Sequence, residues 1–92
     1  MFNFDYSDEL KLLIRKLLRK DKKRVIILNK KMKEIINNDI NTINRYRNCR
    51  YDLKEFKHSH IDKSFVLLFK VTKEKNHILF AKLKHHDEIF PR

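Results

Sequence analysis

The chain is 92 residues long, carries 23 Lys and Arg against 12 Asp and Glu for a formal net charge of +11, and contains no glycine and one proline. That length suits one domain over residues 1–92 with one modest core, the charge favours a polyanion, an acidic protein or an anionic membrane surface, and the missing glycines exclude P-loop and dinucleotide-binding fingerprints. A single cysteine excludes an internal disulfide framework, no apolar run reaches the roughly 18 residues of a membrane span, and residues 1–8 lack the blocks of a signal peptide, so a reducing cytoplasm and no membrane are expected.

Residues 2–6 alternate aromatic and polar side chains at period two, which predicts a short strand with one buried face. Ser7 is a candidate N-cap for a helix over about residues 8–20. Asp8 and Glu9 interact favourably with the dipole in its first turn, and Leu10, Leu13, Ile14, Leu17 and Leu18 recur at helical spacing. Asp21 can cap a second helix striped by Val25, Leu28, Met32, Ile35, Ile36, Ile40 and Ile43, with Asn37 and Asn38 expected to bend or fray it. Lysines 22, 23, 30, 31 and 33 lie largely off that stripe.

From residue 45 the period changes. A basic connector over 45–50 leads to predicted strands at 51–56, 65–71 and 77–83. The last two are joined by a hairpin loop over 72–76, in which Asn76 is the residue best suited to a left-handed backbone. Residues 65–69 are apolar on both faces and belong inside a sheet. The expected fold class is α+β, a helical hairpin packed on one face of a small antiparallel sheet.

Four of the five histidines fall in two patches, His58 and His60 before the central strand and His85 and His86 after the last one. With Asp62 or Asp87 they suffice numerically for zinc, although no cysteine pair or HExxH motif accompanies them. They are equally readable as surface histidines without a task. A third reading is proton transfer: two imidazoles flanked by Lys and Arg supply a base, an acid and cations for RNA cleavage by its own 2′-hydroxyl. Cys49 has no second thiol nearby and reads as a small, half-buried neutral residue.

The Ser7-Asp8-Glu9-Leu10 helix start, the run Phe56, Lys57, His60, Ile61 before Phe65-Val66-Leu67-Leu68-Phe69, and the closing His85, His86, Asp87, Ile89, Phe90 together resemble the RelE/ParE toxin superfamily. The resemblance covers nearly the whole chain and is greatest to the RelE, YoeB and YafQ branch. It implies a microbial RNase-like fold and the toxin of a type II toxin-antitoxin system. Such a toxin is a ribosome-dependent endoribonuclease that cuts translated mRNA without metal or cofactor, and a cognate acidic antitoxin holds it in a hetero-oligomer.

By the same resemblance, His60, His86, Lys57 and Phe90 are the catalytic candidates. Lys57 would face the scissile phosphate, and Phe90 would stack on or orient a nucleotide. Arg47, Arg50 and Lys54, with Lys84 and His85, would grip RNA. The branch's central-strand arginine falls here on Val66, and the aspartate of YafQ-like members falls on Ser64, with Asp62 as a stand-in. Two other functions stay open: ParE-like inhibition of DNA gyrase without catalysis, and a basic nucleic-acid-binding module in which Tyr46, Tyr51 and Phe56 interleave with Arg and Lys.

Overall fold

The computed structural model describes residues 1–90. Strand β1 (Asn3–Tyr6) leads into helices α1 (Asp8–Lys20) and α2 (Lys22–Ile36), and single turns follow at Thr42–Arg45 and Tyr51–Leu53. Strands β2 (Lys57–His60), β3 (Phe65–Thr72) and β4 (His77–His85) then precede a one-turn helix α3 (His86–Ile89). Among the described residues no helix is long and apolar enough to cross a membrane.

Local chemistry sets the helix ends. Ser7 Oγ accepts from the Leu10 N–H at 3.0 Å and donates to the Ala81 carbonyl, fastening the start of α1 to β4. Asp21 closes one helix and opens the next, because its N–H donates to the Leu17 carbonyl while its carboxylate accepts from the Arg24 N–H. Helix α2 stops at the asparagine pair instead of bending there. The buried Asn38 amide donates to the Glu34 and Ile35 carbonyls, satisfying groups that the helix end would otherwise leave orphaned. Ile40 is therefore exposed, and Ile43 reaches the core from a separate turn.

The main core lies between the helical hairpin and one sheet face. Leu10, Leu28, Met32 and Ile35 meet Leu67, Phe69, Ile78 and Phe80, and each such burial contributes about 1.5–3 kcal/mol. The strand order is β1-β4-β3-β2. Strands β2, β3 and β4 alternate in direction, as expected for strands joined by short connections, whereas β1 runs parallel to β4 and makes the sheet mixed. The long helical excursion after β1 frees its direction from the hairpin rule.

The predicted strand at 51–56 is instead a closed loop. Tyr51 takes a left-handed backbone with φ 56°, the Cys49 N–H reaches the Phe56 carbonyl at 2.8 Å, and Asn48 bridges Lys57. A bulky residue at such a φ costs about 1–2 kcal/mol. Leu53 and Phe56, which suggested a strand, turn inward onto the second sheet face, and the pairing passes to the more polar Lys57–His60. Asn76 adopts the left-handed conformation expected of it, at φ 50°.

Candidate active site

The second sheet face is not bare. Val66 and Leu68 are fully buried there with Cys49, beneath Leu53, Phe56, Ile89 and Phe90. Cross-strand partners share a face, so His58 and His60, opposite Leu68 and Val66, stand on this side, as do Lys82 and Lys84 from β4.

Four rings converge above this small core. The His60 and His86 ring centres are 5.3 Å apart, and Phe90 stacks on His60 at 5.8 Å with an 11° interplanar angle. Phe90 also meets His86 at 4.9 Å and takes the edge of His58 at 5.2 Å. His60 and His86 are thus neighbours although 26 positions separate them in sequence.

Two devices hold this arrangement. The Asp62 carboxylate accepts the N–H groups of Ser64 and Phe65, both at 2.8 Å, and meets Arg24 of α2 at 3.3 Å. Burial raises its pKa, but the N–H groups of Phe65 and Ser64 together with Arg24 outweigh that and hold it below the ordinary carboxylate value. On the other side, His85 Nδ1 accepts from the Asp87 N–H and the Glu88 carboxylate accepts from the His85 N–H, a reciprocal cap on α3. The His86 N–H then donates to the Ser64 carbonyl at 2.6 Å, joining α3 to the turn that carries His60.

Several candidates are not brought to the rings. Lys57 lies opposite Phe69 on the helix-covered face, where its ammonium donates to the Tyr46 carbonyl at 2.9 Å and to Asn48 Oδ1 at 3.1 Å. Burial, then the charge of Lys73, lowers its pKa. The period-two alternation of β2 that presents His58 and His60 necessarily turns Lys57 away. His85 likewise faces the other side, against Phe65, over which the Arg24 guanidinium lies at 4.3 Å. Its ring nitrogen is occupied as a helix cap. Asp62 serves the turn and α2, so it does not stand in for the aspartate that falls on Ser64. Val66 is the buried floor of the site.

Arg47 and Arg50 do reach the site. With Tyr51, His58 and Phe90 they line a cleft of about 570 Å³ that adjoins the rings. Lys54 lies outside that lining, on the exposed loop, where its carbonyl accepts from Asn48. Lys84 stands on the histidine face, two strands from His60, with its ammonium 3.9 Å from Glu88.

His58, read from the sequence only as one of the clustered histidines and given neither a catalytic nor an RNA-binding role, belongs to the site. Burial, then the charges of His60 and Arg47, hold its imidazole below the ordinary histidine value. Its Nδ1 lies 3.7 Å from the Cys49 sulfur, and burial pushes that thiol up. The signal was the His-x-His spacing, which puts both rings on one face of a strand, but the strand had been expected at 51–56. Among the described residues, no three His, Cys, Asp or Glu side chains form a set able to hold a metal ion.

A Methanocaldococcus jannaschii protein that carries the provisional name toxin RelE4 is 37% identical over 92 residues, covering 100% of this chain and 94% of its own. YafQ in the E. coli DinJ-YafQ complex superposes with a TM-score of 0.72 at 18% identity, over 98% of this chain and 99% of that one. A metal-bound toxin from Helicobacter pylori gives 0.74 at 18% identity, over 98% and 100%. At those identities the structural likeness speaks for the fold. No protein-family profile matches the chain.

Proposed function

The chain belongs to the RelE toxin family, and on that footing we propose that it cuts mRNA on the ribosome by 2′-hydroxyl attack, with His60 and His86 as the acid-base pair. The observation that carries this reading is the convergence of His60, His86 and Phe90. One imidazole removes the 2′-hydroxyl proton, the 2′-oxygen attacks the adjacent phosphorus, and the other imidazole protonates the departing 5′-oxygen, leaving a 2′,3′-cyclic phosphate. Ring centres 5.3 Å apart allow both to reach the entering and leaving oxygens of one phosphate.

Phe90, stacked on His60 and in contact with His86, fixes both rings in one arrangement. Arg47 and Arg50, not Lys57, are the cations positioned to stabilise charge on the phosphorane. YafQ is seen in complex with DinJ, and the +11 charge of this chain suits an acidic antitoxin partner. A cytoplasmic site of action follows from a ribosomal substrate.

The test is cleavage of a translated message on intact ribosomes. His60→Ala and His86→Ala should each slow it by about 10²- to 10⁴-fold, and the double variant should be little worse than the worse single one. Cleavage should persist when EDTA is present at a level that leaves the ribosomes intact. Full activity in the double variant would refute the assignment. EDTA-abolished cleavage on intact ribosomes would point to metal chemistry instead. Inhibition of gyrase supercoiling with the message left whole would favour the non-enzymatic reading.

A further inference from the structure

We propose that the cleft between the 47–51 segment and α3 holds one unstacked nucleotide of the message beside the scissile phosphate, with Tyr51 as the platform for its base. Arg47 and Arg50 contact its phosphates. This rests on the nuclease reading and adds to it a subsite and the residue that forms it.

Tyr51 is anomalous in two independent ways. At 85% exposure it is the most exposed large apolar side chain among the described residues, and its backbone is left-handed. The other left-handed residue, Asn76, has a structural reason, since it closes the β3–β4 connection and its amide bonds the Met1 carbonyl. The Tyr51 backbone opens the turn that closes its loop, its carbonyl accepting from the Lys54 N–H at 3.1 Å, but its ring has no such reason: no other ring approaches it among the described aromatic contacts, and its side chain adds nothing to either core. Strain kept at a residue that does not pack is characteristic of binding sites. Here it displays a phenol ring at the mouth of a cleft.

That cleft, about 570 Å³, is within the range of small-ligand pockets. His58 and Phe90 line it and also belong to the ring cluster, so it is continuous with the catalytic histidines. Arg47 and Arg50 form no ion pair among the described residues, and a guanidinium fork matches phosphate geometry. Asn48, the nearest amide, is already committed: its nitrogen donates to the Lys54 carbonyl and its oxygen accepts from Lys57. Base recognition therefore falls to stacking, which tolerates any base.

The probe is a tetra-adenylate RNA with 2′-O-methyl riboses, which 2′-hydroxyl chemistry cannot cut, titrated at low salt into the ¹⁵N-labelled chain. Amide shifts should concentrate at Arg47, Arg50, Tyr51 and Phe90. Tyr51→Phe should bind as the parent does. Tyr51→Asn keeps a residue that tolerates the left-handed backbone, so its melting temperature should equal or exceed the parent's while affinity falls about 5- to 150-fold. Parent-like binding by Tyr51→Asn, shifts confined to the α2 lysines, or a melting temperature that drops together with affinity would each overturn the proposal. Because the probe is uncleavable, a parent chain that binds it at Tyr51 yet cuts nothing on ribosomes would sink the nuclease reading and leave the subsite standing.

Discussion

Truncating Phe90 to alanine removes three ring contacts at once, with His60 at 5.8 Å, His86 at 4.9 Å and His58 at 5.2 Å. An aromatic pair contributes about 0.5–1.5 kcal/mol beyond burial. Phe90 is only half-buried and its contacts share partners, so the expected net loss is about 1–2 kcal/mol rather than the sum. In a domain of this size that lowers the melting temperature by roughly 4–15 °C. The larger effect should be on rate. Without the stacked ring His60 and His86 lose their common support, and a misplacement on the order of 1 Å costs about 10²-fold. Circular dichroism melts and ribosomal cleavage should be run on Phe90→Ala and Phe90→Leu together. Leucine still covers Val66 and Leu68, so it should recover most of the melting temperature and little of the rate. An alanine variant with parental melting and rate would refute the positioning role, and a leucine variant with full rate would reduce Phe90 to hydrophobic cover.

Acid should destabilise the protein through His58. Its folded pKa is depressed, so below about pH 6.5 the unfolded chain binds the proton first and stability is lost as pH falls toward the folded value. His58→Gln should flatten the urea midpoint against pH between 5 and 7, and an unchanged profile would count against the burial argument. RNA affinity should fall steeply with salt, and replacing Arg47 and Arg50 with glutamine should reduce the log–log slope by about 1.4, whereas Lys54→Gln should leave it unaltered. Asp62→Asn keeps an acceptor for the turn and loses only the partly exposed pair with Arg24, about 0.5–1 kcal/mol; Asp62→Ala also strands two N–H groups and should cost about 1–3 kcal/mol more by denaturant titration. Expressed with its neighbouring reading frame, the chain should copurify with a small acidic protein, and purification alone from a host that it does not harm would argue against a toxin held in check.

Much of the architecture was legible because it depends on local rules. Ser7 and Asp21 cap helices where a short polar side chain precedes a periodic apolar run, and Asn76 turns where no glycine is available. Residues 65–69, apolar on both faces, could only be an interior strand, and the structure puts a core on each side of them. His60, His86 and Phe90 were legible as candidates, and the fold brings their rings together. The facing of Lys57 and His85, by contrast, depends on strand register, and a shift of one residue exchanges the two faces of a sheet. Leu53 and Phe56 imitated a strand because the strand face that they cover, Val66 and Leu68, lies ten or more positions away. The parallel β1 and the Tyr51 cleft were likewise invisible, since each is made by segments distant in sequence. Sequence alone determined which side chains were available for chemistry. Only long-range pairing, which fixes register through burial of Val66 and Leu68, decided which of them meet.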